Sequence, residues 1–94
     1  MIVVVAYDIL DDRLRDKARR MLQRYGLSRI SKSVYAGRIN WETAKEIAQR
    51  LSQILKGEDS AVVIPVSERD FLRALSVAEG VVAERRPRGA MVLG

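Results

Sequence analysis

The chain of 94 residues contains no cysteine and no histidine. The lack of cysteine excludes disulfide bonds and zinc sites built on thiolates. The lack of histidine excludes imidazole metal ligands, a histidine general base and a Ser-His catalytic triad. Any chemistry that this chain performs must therefore use other side chains or a bound group.

Aromatic residues and long apolar runs are also scarce. Aromatics make up 5% of the chain, which argues against a broad surface for stacking nucleic-acid bases. No apolar run approaches the ~20 residues that a membrane-spanning helix needs. The apolar start is short and lacks the charged segment of a secretory signal. We therefore expect a cytoplasmic protein with no membrane partner.

Basic residues are in excess. Lysine and arginine number 17 against 12 aspartates and glutamates, so the net charge is +5. Clustered positive charge of this kind favours an anionic partner such as nucleic acid. A single domain of this size buries only a little over ~60% of its unfolded surface. Because disulfides are excluded, self-association is the remaining route to a larger core.

The first eight residues hold the most informative pattern. Five aliphatic residues at 2–6 predict a strand that is buried on both faces in the middle of a sheet. Tyr7 and Asp8 follow, and a carboxylate at this position is costly to desolvate unless a cation meets it. Asp8 either ends the strand and helps to cap the next helix, or it binds Mg²⁺ or Mn²⁺. Two copies of Asp8 at a dimer axis would make a better metal site than one.

Apolar spacing and capping residues predict the elements of the rest of the chain. In order, these are a helix from Asp11 or Asp12 to Gly26, a strand over 27–38 with a break at Lys32-Ser33 or two short paired strands, a helix from Asn40 to Gly57, a strand over 61–66, a short helix after Ser67, a strand over 77–83 broken by Gly80, a basic turn over 85–89 and a short strand over 90–93.

This order predicts an α+β fold, a ferredoxin-like sandwich with an antiparallel sheet and two helices on one face. We place the domain at residues 1–84 and a C-terminal basic turn and strand at 85–94. A short apolar strand after a basic turn is poorly suited to a monomer surface. We therefore expect that strand to pair with the sheet edge of a partner subunit.

The first helix concentrates positive charge on one face. Arg13, Lys17, Arg20 and Arg24 recur at i, i+4, i+7 and i+11. Such a line of cations suits a phosphate backbone. The alternative is a solvated helix face that nearby aspartates offset. We favour nucleic acid, because the charge is so concentrated.

Further polar and aromatic residues carry two interpretations each. Tyr7 and Tyr35 are either core aromatics or groups that stack on a base or orient water. Ser33 is a poor nucleophile without a base beside it and is better suited to donating to a phosphate. Arg29 and Lys32 add positive charge in the same part of the chain.

Five short segments form a distinctive combination: Tyr7-Asp8-Ile9, Asp11-Asp12 with Arg15, Tyr25-Gly26-Leu27, Arg29-Ile30 and Lys32-Ser33-Val34-Tyr35-Ala36-Gly37. In this combination the chain resembles the small CRISPR-associated endonuclease of spacer acquisition, the second of the universal Cas proteins. The length, the element order and the short last strand agree with that family as well.

The resemblance implies a homodimeric, Mg²⁺- or Mn²⁺-dependent endonuclease that acts on single-stranded RNA or double-stranded DNA. It implies that Asp8 of each subunit is a metal ligand and that Tyr7, Arg15 and Arg29 are catalytic residues around the same cleft. Lys17 stands where some members carry arginine, which weakens a bidentate phosphate contact. Tyr35 stands where phenylalanine is common.

The resemblance also implies a second role, in which a non-catalytic dimer bridges integrase dimers and holds DNA. A CRISPR integrase subunit is then a partner. A small-ligand or regulatory domain is a third alternative, which the charge disfavours. In either of the first two roles, the residues that we expect to contact nucleic acid are Arg13, Arg15, Lys17, Arg20, Arg24, Arg29, Lys32, Ser33 and Tyr35.

Overall fold

The structure, a computed structural model, describes residues 1–84. Its elements are β1 (Ile2–Asp8), α1 (Asp12–Arg24), β2 (Ser28–Ser31), β3 (Val34–Arg38), α2 (Trp41–Ile54), β4 (Ser60–Val66), α3 (Glu68–Leu72), β5 (Leu75–Ala78) and β6 (Val81–Glu84). This order confirms the predicted α+β class. The predicted basic turn and last strand, at 85–94, lie outside the described residues.

The main sheet has four antiparallel strands in the order β2-β3-β1-β4. β1 pairs with β3 on one side and with β4 on the other, so that Val4 lies opposite both Ala36 and Ile64. This central position explains the unbroken aliphatic run of the first strand. β5 and β6 form a separate two-stranded sheet, which turns at Gly80 with a φ of 78°.

The two faces of the main sheet have different surroundings. Val3 and Val5 belong to the larger core cluster together with buried residues of α1 and α2, among them Leu22 and Ile47. Alternate residues of the same strands point the other way. On that opposite face Ile2 and Ala36 pack with Phe71 of α3. The two long helices therefore cover one face, as the sequence predicted, and the short α3 covers part of the other.

A short connection links the end of β1 at Asp8 to the start of α1 at Asp12. Asp11, rather than Asp12, is the N-cap: its carboxylate accepts hydrogen bonds from the N–H groups of Arg13 at 2.8 Å and Leu14 at 3.0 Å. These bonds, chiefly the one from Leu14, hold the pKa of Asp11 below its ordinary value. Gly26 follows the C-cap with a φ of 90°, as expected for a helix end.

Two boundaries resolve or revise the predictions from sequence. Residues 27–38 form two short paired strands, with a bulge between Arg29 and Ser31 and with Ser33 at a φ of 64° in the connecting turn. The second helix ends at Ile54, earlier than the predicted end at Gly57. Gly57, with a φ of 58°, instead lies in a turn that is closed by the Asp59 N–H, which donates to the Lys56 carbonyl.

Candidate functional site: two cavities on either side of the first strand

Asp8 lies at the exposed end of β1. Its partner in the register of β4 is Ser60, and alternation places its side chain on the sheet face opposite α1 and α2. It borders a concavity of about 650 Å³, whose other lining residues are Leu10, Asp11, Arg13, Leu14, Lys56, Gly57, Glu58 and Asp59. The predicted metal ligand therefore occupies an accessible position with two cationic side chains on the same wall.

Two side chains hold the segment that follows Asp8. The carboxylate of Asp59 accepts a hydrogen bond from the Leu10 N–H at 3.1 Å and another from the Lys56 N–H at 3.0 Å. Nη1 of Arg15 donates to the carbonyls of Ile9 at 3.1 Å and Leu10 at 3.2 Å. Because both backbone groups of Leu10 are bound, the chain beyond Asp8 is held from the α2–β4 turn and from α1.

We expect Asp59→Asn to loosen this segment, because an amide can accept only one of the two backbone N–H bonds that the carboxylate accepts. Amide hydrogen exchange at Leu10 should become about tenfold faster. Glu58→Gln removes the same charge one residue away and is the matched control, for which Leu10 exchange should stay at the wild-type rate. Unchanged exchange in Asp59→Asn would show that the carboxylate does not hold the segment.

A second cavity, of about 220 Å³, lies on the other side of β1. It contains six predicted site residues, together with Asp12, Asp16 and Arg19; the six are Tyr7, Arg15, Arg29, Lys32, Ser33 and Tyr35. Tyr7 packs against the core between the sheet and the long helices, whereas the adjacent Asp8 points to the opposite face. The structure therefore brings most of the predicted residues together but places Asp8 apart from them.

The two tyrosines of the second cavity are stacked. Their ring centroids lie 6.1 Å apart with an interplanar angle of 15°. Burial raises the pKa of Tyr7, and the neighbouring Tyr35 raises it further, while the positive charges of Arg29 and Arg19 oppose this rise. The Tyr7 hydroxyl is thus a neutral hydrogen-bond donor at physiological pH. Tyr35 is only 1% exposed, so its ring belongs to the core.

Arg19 was not among the predicted site residues, although it lines this cavity. It pairs with Asp16 one turn earlier on α1. The hydrogen bond from Arg19 holds the pKa of Asp16 below its ordinary value, and the same bond raises that of Arg19. The signal that could have found Arg19 is its i+4 spacing from Arg15, which places both on one helix face.

The four basic residues of the predicted line on α1 do not all border the same cavity. Arg13 borders the cavity of Asp8. Lys17, Arg20 and Arg24 are exposed, and they line neither cavity. Arg20 also lies 3.5 Å from an oxygen of Asp16. The helical period turns this line away from Arg15, so α1 presents two distinct basic surfaces.

The donor set around Asp8 suits a hard divalent cation only in part. Mg²⁺ takes oxygen ligands and commonly uses one or two carboxylates with water. Within residues 1–84, no group of three or more acidic, histidine or cysteine side chains is arranged to hold a metal. Asp11 and Asp59 are engaged by backbone N–H groups. Asp8 therefore fits as one ligand, to be completed by water or by a second copy.

Comparison with known proteins identifies the family. The family model described as CRISPR associated protein Cas2 matches residues 1–74. The chain belongs to the Cas2 family. It is 44% identical over 90 residues to the CRISPR-associated endoribonuclease Cas2 of Thermofilum pendens, a match that covers 92% of this chain and 96% of that protein. The family resemblance noted in the sequence is thereby confirmed.

Two further comparisons concern partners and fold. The chain is 39% identical over 64 residues to a CRISPR-associated endonuclease Cas1/endonuclease Cas2 fusion of Thermoproteus tenax. This match covers 68% of this chain and 24% of the fusion. The crystal structure of Streptococcus pyogenes Cas2 at pH 6.5 matches with a TM-score of 0.72 and 21% identity, over 83% of this chain and 100% of that one. The second match confirms the fold. Among the described helices, none is both long and apolar enough to cross a membrane.

Proposed function

We propose that this Cas2-family chain is a Mg²⁺- or Mn²⁺-dependent endonuclease that acts in the cytoplasm, during spacer acquisition, as a homodimer. The preferred substrate is single-stranded RNA, by similarity to a relative that is named an endoribonuclease and is 44% identical. Double-stranded DNA is the other substrate to be tested. The observation that carries the proposal is the position of Asp8, exposed at the end of the central strand and bordered by Arg13 and Lys56.

The sheet face opposite α1 and α2 supports self-association. On this face Val62 and Ile64 of β4 are 52% and 44% exposed, and they lie opposite Ala6 and Val4 of β1. Val77 and other apolar residues of the β5–β6 hairpin are also exposed. Exposed apolar side chains clustered on one strand of a sheet face favour an interface. Two copies joined through this face would each contribute the Asp8 at its end.

The residues around Asp8 have separate roles in this proposal. A bound Mg²⁺ would supply Lewis-acid polarisation of a phosphoryl oxygen. Asp8 would hold the ion, and the positive charges of Arg13 and Lys56 would attract the phosphodiester into the concavity. The hydrogen bonds of Asp59 and Arg15 to Leu10 and Ile9 would keep the chain beyond Asp8 in place. None of these roles requires histidine.

Cleavage of matched RNA and DNA strands tests the proposal. We expect the purified protein to cut single-stranded RNA in the presence of Mg²⁺ or Mn²⁺. The cleavage rate should fall at least about 100-fold when the metal is removed by chelation. The same assay with a duplex DNA of the same sequence decides the substrate class. Full activity after rigorous metal removal, with no further gain when Mg²⁺ or Mn²⁺ is added back, would contradict the metal-dependent mechanism.

A second candidate function is a dimeric scaffold that holds DNA and binds a CRISPR integrase subunit. The observation that favours it is the natural fusion of a Cas1 endonuclease to a Cas2 endonuclease in a relative that is 39% identical. The exposed line of Lys17, Arg20 and Arg24 would contact phosphates on a surface separate from Asp8. The two functions are separable, because only cleavage requires the carboxylate of Asp8.

A further inference from the structure

The second cavity has the properties of an anion site in its own right. It lies on the helix side of the sheet, whereas Asp8 points to the opposite face. Four cationic side chains line it against only two carboxylates, so that positive charge is in excess; the six residues are Arg15, Arg19, Arg29, Lys32, Asp12 and Asp16.

The excess charge comes from β2 and the turn that follows it. Arg15 and Arg19 are paired with Asp12 and Asp16. Arg29 and Lys32, in contrast, form no ion pair with another residue of the described range 1–84. An arginine fork beside a lysine, both without an acidic partner, matches the charge and geometry of a phosphate.

Neutral donors complete the cavity. Tyr7 and Ser33 both line it, and each carries a hydroxyl that can donate a hydrogen bond. Ser33 adopts a left-handed backbone conformation, with a φ of 64°, and its carbonyl accepts a hydrogen bond from the Tyr7 N–H at 3.0 Å. This bond ties the turn that carries Lys32 and Ser33 to β1, so the donors are held in place before a ligand binds.

We infer that this cavity binds one phosphate group of a nucleotide, at a site separate from the Asp8 centre. The volume of about 220 Å³ accommodates a phosphate and part of its sugar. The inference rests on the proposed function for the nature of the ligand, a nucleic-acid strand. The cavity would bind the strand at a second point, away from the phosphodiester bond that is cleaved.

Metal-free titrations of the full chain, followed by NMR of its backbone amides, test this inference. The probes are inorganic phosphate, a nucleoside 5′-monophosphate and a dinucleotide with one internal phosphodiester. We expect saturable shifts at Tyr7, Arg29, Lys32 and Ser33 with at least the monophosphate. Binding of the dinucleotide as well would assign the site to internal phosphates of a strand, and its failure to bind would assign the site to a chain end.

Variants separate this site from others. The pair Arg29→Gln and Lys32→Gln should weaken phosphate binding at least about tenfold. Tyr7→Phe, which removes only a hydroxyl, should weaken it several-fold while leaving the stacked rings in place. The pair Arg69→Gln and Arg73→Gln removes the same charge from α3 and its C-cap and should bind phosphate as the wild type does.

The role of Asp8 distinguishes the two proposals. Asp8→Asn should bind phosphate with wild-type affinity, because it lies outside the cavity. Absence of saturable binding by all three probes, equal weakening by the α3 pair, or loss of binding in Asp8→Asn would each overturn the inference. If the protein binds phosphate but cleaves no nucleic acid, the cavity assignment stands and the nuclease proposal fails.

Discussion

Asp8→Asn is expected to abolish cleavage of RNA by the purified protein while leaving RNA binding intact. The substitution preserves the shape of the side chain but replaces an anionic ligand by a neutral amide, which binds a hard divalent cation poorly. Two of the other acidic groups on the cavity wall, Asp11 and Asp59, already accept backbone hydrogen bonds, so they are less available to replace Asp8. We expect the cleavage rate in Mg²⁺ to fall at least about 100-fold.

The measurement is a time course of RNA cleavage, with binding followed separately by fluorescence anisotropy. Glu42→Gln is the control: it removes one negative charge from an exposed position on α2, where the pair with Lys45 is solvent-exposed and worth little. A highly purified Asp8→Asn protein that cuts at the wild-type rate would refute the catalytic role. Capture of an integrase subunit by the inactive variant would support the scaffold as a separate function.

The second large effect is expected from Ile64→Glu, which should convert the proposed dimer into monomers. Ile64 lies on the sheet face opposite α1 and α2, is 44% exposed in the single chain and stands opposite Val4 of the central strand. A carboxylate buried there between two copies would face an apolar surface without a cationic partner, which is costly. A cost of about 3 kcal/mol would raise the dimer dissociation constant about 100-fold.

Analytical ultracentrifugation across a concentration series measures this change. Cleavage should be lost together with the dimer if the proposed metal site uses Asp8 of both copies. Ala48→Glu introduces the same charge at an exposed position on α2, on the other side of the sheet, and should leave the sedimentation unchanged. A wild-type protein that sediments as a monomer at assay concentrations, yet remains active, would exclude the shared site.

Local patterns were sufficient to predict most elements of the described part of this fold. The aliphatic run at 2–6 indicated a central strand, and β1 is paired on both sides. Asn40 and Ser67 were expected to begin helices, and both side chains accept the capping hydrogen bond, from Thr43 and Asp70 respectively. These features depend on residues within one turn of each other, which is why the order of amino acids reveals them.

The sequence pattern alone indicated part of the arrangement around β1. Consecutive residues of a strand point to opposite faces, so Tyr7 and Asp8 of one chain face different sides of the sheet. The family resemblance grouped them together with Arg15 and Arg29. Only the fold shows that Tyr7, Arg15 and Arg29 meet in one cavity while Asp8 borders another.

The linear order of residues indicated most of the elements, the basic charge and Asp8 as a candidate metal ligand, because each depends on near neighbours or on composition. The tertiary structure decided what surrounds Asp8. The bond from the Leu10 N–H to Asp59 joins residues 49 positions apart, and the register of β4 against β1 brings them together. Such contacts depend on how distant strands align, and a one-residue slip would reverse every side chain. Local pattern does not encode that alignment.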